Sequence, residues 1–350
     1  MERGRFAPSP TGRMHLGNVF SALLSWLSVK SKGGEWLLRI EDIDPVRSRQ
    51  AFADLLMDDL QWLGLSWDGE PVYQSRRSAI YEHYFSLLRE QGLTYPCYCT
   101  RADLLATQAP HESDGRVVYP GTCRPKGKSP IGGPIRPIGH IGPISPISPI
   151  SPIGPTSPTS PTSPTSPTSP TSPIIPTSPP IPRPASTRLI VPDRAIAFTD
   201  GHYGPHSVNL STHVGDFIIR RKDGAWAYQL AVVVDDALMG ITEVVRGRDL
   251  LLSSPQQMYV AQLLGFSTPR FIHLPLLCNE EGQRLSKRDK SLDMESLRQH
   301  CTAPELIGHL AFLAGLQPEP QPATPESLVG TFDWSKVPLN DIIAPTPLPY

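Results

Sequence analysis

Two polar clusters, some 270 residues apart, carry the residue types most suited to phosphate chemistry. The first is Arg5-Phe6-Ala7-Pro8-Ser9-Pro10-Thr11-Gly12-Arg13-Met14-His15-Leu16-Gly17-Asn18. Residues 3–8 read as a short buried strand, and Val19 to Val29 places Val19, Phe20, Leu23, Leu24 and Leu27 at helical spacing. The loop between them delivers His15 and Asn18 to a helix N-terminus, where free N–H groups and the positive end of the helix dipole favour phosphate. Gly17 lets an adenine or ribose approach the backbone, and His15 can stabilise charge developing on a triphosphate. The second cluster, Arg284-Leu285-Ser286-Lys287-Arg288, follows an apolar strand reading Phe271 to Leu277. A mobile lysine in such a loop can neutralise phosphate charge in a transition state. Each cluster alone also reads as a turn or a solvated basic loop; their joint presence argues for chemistry.

A third constellation is Cys97-Tyr98-Cys99 followed by Tyr119-Pro120-Gly121-Thr122-Cys123. Three thiolates and one further ligand make a closed tetrahedral zinc site able to anchor a small loop-rich module. Buried free thiols are the competing reading. Chemistry leaves the fourth ligand open, since His111 is also near and histidine is ordinarily a better ligand than tyrosine. Cys278 and Cys301 lie on apolar or helical segments and read as structural. Five cysteines, no apolar leader before the first cluster and no run of about 20 apolar residues point to a cytoplasmic chain that does not engage a membrane.

The two clusters resemble the paired signatures of class I aminoacyl-tRNA synthetases. Outside a proline-rich stretch the chain is similar to the glutamyl-queuosine tRNA(Asp) synthetases, a short paralogue family of glutamyl-tRNA synthetase. Arg284 stands where lysine is commoner and Asn18 where many members have histidine; arginine keeps the charge and asparagine a donor. The resemblance implies an ATP site at His15, Gly17, Asn18, Arg284, Leu285, Ser286, Lys287 and Arg288, with His15, Asn18 and Lys287 catalytic and Mg²⁺ accompanying the nucleotide. It implies a glutamate pocket of Arg5, Phe6, Ala7, Pro8, Ser9, Glu41, Tyr228 and Arg246. For the metal, it implies structural Zn²⁺ on Cys97, Cys99, Tyr119 and Cys123. Charge agrees with the pocket: glutamate brings two carboxylates and one ammonium, matched by two arginines, a tyrosine hydroxyl and one carboxylate. A structural ion pair of those arginines with Glu41 or Asp42 is the alternative.

The activity implied is attack of the glutamate α-carboxylate on ATP, giving glutamyl-adenylate, then transfer to an acceptor hydroxyl. A full glutamyl-tRNA synthetase carries a helical anticodon-binding region of well over a hundred residues after the Lys-Ser loop, and this chain has only about sixty residues there. The short paralogues imply queuosine in the anticodon loop of tRNA(Asp) as acceptor. The alternatives are a truncated glutamyl-tRNA synthetase charging tRNA(Glu), or a non-catalytic tRNA-binding module. A monomer is expected.

These sites require an α/β fold: a Rossmann-like doubly wound parallel sheet, a small zinc-bearing insertion and a short C-terminal helical region. Glu41, closing the apolar run Leu37 to Ile40, then reaches the carboxyl edge of the sheet. The segment Trp226 to Asp236 reads as a strand or a buried helix, and Leu292 to His300 and Ala303 to Gly315 as helices. The expected division is 1–95, first half of the catalytic domain; 96–125, zinc-bearing insertion; 126–185, repeat insert; 186–290, rest of the insertion and second catalytic half; 291–350, helical stem-contact region and Pro-rich tail. Nineteen of the 41 prolines lie in 126–185, including an unbroken Pro-Thr-Ser run from Pro155 to Pro173. That composition cannot bury enough apolar surface to offset its ordering entropy. Net charge, −1, is uninformative about nucleic acid, whereas Arg116, Arg124, Lys126, Lys128 and Arg136 read as a basic patch or a solvated loop.

Overall fold

A computed structural model describes residues 1–106, 118–127, 184–285 and 292–345. Ser286, Lys287, Arg288 and His111 lie outside the described residues, as do Arg116, Lys128, Arg136 and nearly all of the repeat insert. In chain order the elements begin β1 (Arg3–Phe6), α1 (Leu16–Lys30), β2 (Glu35–Ile40), α2 (Gln50–Trp62), β3 (Val72–Tyr73) and α3 (Ser78–Glu90). The next are β4 (Thr94–Cys97), α4 (Arg101–Ala106), β5 (Ser186–Leu189), β6 (Ala195–Asp200), β7 (Gly204–Asn209), α5 (Leu210–His213) and β8 (Phe217–Arg220). The chain then forms α6 (Tyr228–Leu238), β9 (Glu243–Gly247), α7 (Ser253–Leu264), β10 (Arg270–Leu274) and β11 (Leu277–Cys278). It closes with α8 (Met294–His300), α9 (Ala303–Leu313), α10 (Pro325–Val329) and β12 (Ile342–Ile343).

Five strands pair in parallel in the order β10-β9-β1-β2-β3. Their side chains alternate between two apolar layers, as a sheet covered on both faces requires. Leu38, Ile40, Val245 and Ile272 join the core built on α1 and α2, whereas Leu37, Val244 and Phe271 face the other way. Helices α3, α6 and α7 supply a separate apolar cluster. A second, antiparallel sheet is ordered β4-β5-β8, and β6 pairs with β7 as a hairpin.

Prolines set two boundaries that the apolar pattern alone leaves blurred. β1 stops at Phe6 because Pro8 and Pro10 cannot donate to a ladder, and the run from Phe271 to Leu277 is cut into β10 and β11 around Pro275. The ambiguous segment from Trp226 is the helix α6. Leu230 to Asp236 is buried without a break, so no polar face marks a 3.6-residue period.

Among the described residues after 291 the chain forms three α-helices, α8, α9 and α10. α9 starts at a capping box in which Glu305 accepts from the Thr302 N–H (2.7 Å) and hydroxyl (2.7 Å). Within it Gly308 passes under another part of the chain: a Cβ at this position would sit 1.9 Å from the Gln321 carbonyl oxygen. Glycine to alanine ordinarily stabilises a helix interior by up to about 1 kcal/mol. Here the sign reverses, and Gly308→Ala should destabilise by about 1–3 kcal/mol through overpacking. Thermal denaturation checks this; an unchanged or raised Tm would show that the 321–322 turn can retreat.

Candidate functional site

The strand order reverses between β1 and β9, and the crevice outside the carboxyl ends of strands at such a point is where open α/β sheets bind ligands. A cavity of about 580 Å³ lies there. Its walls contain Arg5, Phe6, Ala7, Pro8 and Ser9 from the end of β1, and His15, Gly17 and Asn18 from the start of α1. Glu41 after β2, Tyr228 at the first turn of α6, Arg246 on β9, and Arg284 and Leu285 complete the nominated residues that line it. The structure thus brings together every nominated ATP and glutamate residue that it describes.

The α1 terminus is organised by its own sequence. His15 is the N-cap, and the Asn18 side-chain oxygen, three residues on, accepts from the His15 N–H (3.1 Å). Asn18 therefore pins the loop that carries the histidine while its amide NH₂ remains a donor. Gly17 makes room for the imidazole, since a Cβ would lie 3.1 Å from His15 Cε1. Met294 donates its N–H to the Met14 carbonyl (2.9 Å), so the segment following the Lys-Ser loop is tied to the first signature. Asp59, fully buried on α2, holds the same two regions through Arg13 (3.1 Å) and Arg298 (3.0 Å).

Beneath the cavity lies a buried ionic cluster. Arg39 has no solvent exposure and pairs with Asp236 (2.6 Å) and Glu41 (3.1 Å), with Asp235 at 3.8 Å. Asp236 also takes the Arg5 Nε–H at 3.2 Å. Asp235 is held independently by Arg77 (2.6 Å), Gln74 (2.7 Å) and Tyr81 (2.8 Å). The two carboxylates sharing Arg39 respond differently. Burial raises the Glu41 pKa despite Arg39 and Arg5, whereas for Asp236 the two arginines outweigh burial and lower it. Glu41 is the less stabilised anion, and an ammonium entering the cavity would complete its shell.

Arg246 is in the opposite situation. Its side chain is buried, yet its contacts are neutral: Gln257 Oε1 (2.8 Å), Ser254 Oγ (2.8 Å), His273 Nε2 (3.2 Å) and the Tyr228 hydroxyl (3.3 Å). Among the described residues no carboxylate forms an ion pair with it, and burial lowers its pKa. A buried cation held by neutral acceptors is strongly complementary to an incoming carboxylate.

The sulfurs of Cys97, Cys99 and Cys123 lie within 4.8 Å of one another, the last two 3.5 Å apart. The Tyr119 hydroxyl accepts from the Cys123 N–H (2.8 Å) and lies 3.4 Å from Cys97 Sγ. Tetrahedral zinc with Zn–S of about 2.3 Å needs sulfurs about 3.8 Å apart, so this donor set fits the ion. Arg188 donates to Cys97 Sγ (3.2 Å) and stacks on the Tyr119 ring, 3.6 Å from its centroid. Burial opposes ionisation of Cys97, but hydrogen bonds from Tyr119 and Arg188 bring its pKa down to about 7. Arg124, nominated as part of a basic patch, is instead paired with the buried Asp216.

Residues 2–125 and 181–325 match the family model of the class I tRNA synthetases for E and Q, catalytic domain. The chain belongs to this family. It is therefore a ligase of the aminoacyl-tRNA synthetase type, a class that uses ATP. A glutamyl-Q tRNA(Asp) synthetase of Nitratidesulfovibrio vulgaris is 39% identical over 99% of this chain and 96% of its own length. One of Symbiobacterium thermophilum is 40% identical over 98% and 95%. Among solved structures, a glutamate tRNA ligase of Elizabethkingia meningosepticum, in complex with its amino acid, superimposes with a TM-score of 0.70 at 25% identity. The match covers 98% of this chain and 66% of that one. Among the described residues no helix is long and apolar enough to cross a membrane.

Within this synthetase fold, Arg39, Asp236, His273, Ser254 and Gln257 went unnominated from sequence. The available signal was charge inside apolar runs, Trp36-Leu37-Leu38-Arg39-Ile40 and Val232-Val233-Val234-Asp235-Asp236. Replacing Arg39 by methionine leaves Glu41 and Asp236 without their shared cation, and breaking a buried pair on one side costs about 3–5 kcal/mol. Arg39→Met should show that loss in urea denaturation; a change below about 1 kcal/mol would mean that the cluster relaxes.

Proposed function

We propose that the chain activates glutamate with ATP and transfers it to queuosine in the anticodon loop of tRNA(Asp). The observation that carries this reading is the near end-to-end match, at 39–40% identity, to relatives named glutamyl-Q tRNA(Asp) synthetase. The cavity supports the first half-reaction. Arg246 and Arg5 meet the two carboxylates of glutamate, Glu41 its ammonium, and the Tyr228 hydroxyl lies beside Arg246. The α1 N-terminus with His15 and Asn18 receives the triphosphate with its Mg²⁺.

The α-carboxylate oxygen then attacks the α-phosphorus, the α–β anhydride bond breaks and pyrophosphate leaves. No side-chain nucleophile is needed, because the barrier falls through positioning and charge stabilisation. Lys287 and Arg284 supply positive charge from the second signature. An acceptor hydroxyl next attacks the acyl carbon, releasing AMP and a proton. The chain works as a monomer in this reading, organised as the five segments set out above.

Labelled glutamate offered with ATP to queuosine-containing tRNA(Asp), unmodified tRNA(Asp) and tRNA(Glu) tests the acceptor. Label on the queuosine-containing tRNA alone is expected. Label on tRNA(Glu) would make this a truncated charging enzyme, and no glutamate-dependent pyrophosphate exchange would remove the catalytic reading.

Cys97, Cys99, Tyr119 and Cys123 would hold a structural Zn²⁺, which cross-links the β4 end to the 118–127 segment. Purified protein should carry about one equivalent of zinc, and Cys123→Ser should lose it with a lowered Tm. Less than about a tenth of an equivalent in wild-type protein would leave these as buried thiols.

A further inference from the structure

Arg246 must present its charge and its one remaining N–H to a ligand from one fixed plane, and His273, Ser254 and Gln257 behind it do not line the cavity. His273 is its register partner on the neighbouring strand β10, so the two side chains stand on the same face of the sheet. His273 has no solvent exposure. Its Nε2 lies 3.2 Å from Arg246 Nε, and its Nδ1 lies 2.6 Å from Asp200 Oδ2. An arginine Nε–H can only donate. Nε2 must therefore offer its lone pair, which places the imidazole proton on Nδ1 and directs it to Asp200.

Asp200, 2% exposed, is held as an acceptor at the end of β6. Its Oδ1 accepts from the N–H groups of His202 (3.0 Å) and Tyr203 (2.9 Å), and both oxygens lie 3.2 Å from the His273 N–H. The tip of the β6–β7 hairpin is docked against β10, where Gly201 donates to the Phe271 carbonyl (2.8 Å) and a Cβ at Gly201 would lie 2.6 Å from Ile272. The carboxylate thus reaches the strand from a separate element.

We propose that Asp200 and His273 are positioning residues for the synthetase reaction. Asp200 fixes the imidazole as its Nδ1–H tautomer, and the imidazole fixes the plane of Arg246 and so the carboxylate site. The proposal rests on the reading that Arg246 receives a substrate carboxylate. Ser254 Oγ, 3.3 Å from the same Nε2, and Gln257, which donates to Gln229 (2.9 Å), hold the two ends of the guanidinium. Four of the five guanidinium N–H groups are engaged by these partners and Tyr228. The contact from His273 is the one on Nε, and it sets the rotation of the group about its stem.

The test is glutamate-dependent ATP–pyrophosphate exchange with the full chain, comparing two substitutions at one position. A glutamine side-chain oxygen reaches roughly where Nε2 stands, whereas asparagine reaches only the Nδ1 position. His273→Asn is expected to raise the KM for glutamate about 10–100-fold, as loss of an orienting partner typically does. The KM for ATP and kcat should stay within about threefold, a split that marks lost substrate positioning. His273→Gln should return the glutamate KM to within about threefold of wild type. Asp200→Asn should shift it in the same direction, and the double variant Asp200→Asn/His273→Asn should be no worse than His273→Asn alone.

Equal effects of the Asn and Gln variants, or a fall in kcat with unchanged KM, would overturn the proposal. If His273→Asn does not fold, Asp200→Asn against His273→Gln decides on the same criterion. Failure of the underlying reading looks different: wild-type exchange would then depend on another amino acid, or on none.

Discussion

Arg39 cannot reach water, and the catalytic half of the molecule is arranged around that fact. A guanidinium in the interior needs anions within contact distance, because its desolvation cost is several kcal/mol before any partner is counted. The anions come from two directions: Glu41, two residues further along the same region of chain, and Asp236 at the far end of α6. Their shared cation locks α6 against β2. Asp236 then extends the link to Arg5 on β1, so three elements that meet nowhere in sequence are joined through one charge network. A hydrophobic substitute could fill the same volume, but it could not deliver a carboxylate and a guanidinium to the floor of the cavity in fixed orientation.

The two arginines of the pocket are consequently not equivalent. Arg5 shares a carboxylate with Arg39, so part of its charge is already met inside the protein. Arg246 is held by an imidazole, a hydroxyl, an amide and a phenol, which satisfy its hydrogen bonds and leave its charge uncompensated. This separation of geometry from charge is what a specific anion site requires. A carboxylate partner on the protein would compete with the ligand, whereas neutral acceptors hold the group still without occupying its electrostatic demand. In the proposed glutamate pocket, a neutral amide placed against Arg246 instead of a carboxylate would leave that charge unmet, the kind of mismatch that gives strong discrimination.

Much of the site was legible because its signals are local. The strand, loop and helix from Arg3 to Lys30 follow one another, with His15 at the N-cap and Asn18 in the first turn of an apolar-periodic helix. The grouping of Cys97, Cys99 and Cys123 was legible as closely spaced thiols, whereas Tyr119 came only from the family resemblance. Asp236 and Arg39 are 197 residues apart, and Asp200 and His273 are 73 apart, so their pairing is decided by strand order and register and by nothing nearby. The α6 segment was ambiguous because complete burial erases the polar face that distinguishes a helix from a strand. Arg124 shows the reverse case, since a charge that reads in sequence as a basic patch or a solvated loop is half-buried and paired with the buried Asp216 just before β8.

That last contact also bears on how the cysteine-bearing segment at residues 118–127 accommodates a long interruption beside it. Arg124 lies just before the repeat insert and Arg188 just after it, and both bind Asp216, through its carboxylate and its carbonyl respectively. The same carboxylate accepts from Tyr95 (2.6 Å) and the Val191 N–H (2.9 Å), so it is anchored to β4 and to the chain following β5. Both ends of the interruption are therefore fixed by contacts that do not involve it. A buried aspartate makes charge-assisted bonds of about 1.5–3 kcal/mol each. Through Asp216, Arg124 and Arg188 therefore hold residues 118–127 to β4, β5 and β8 by contacts among described residues alone.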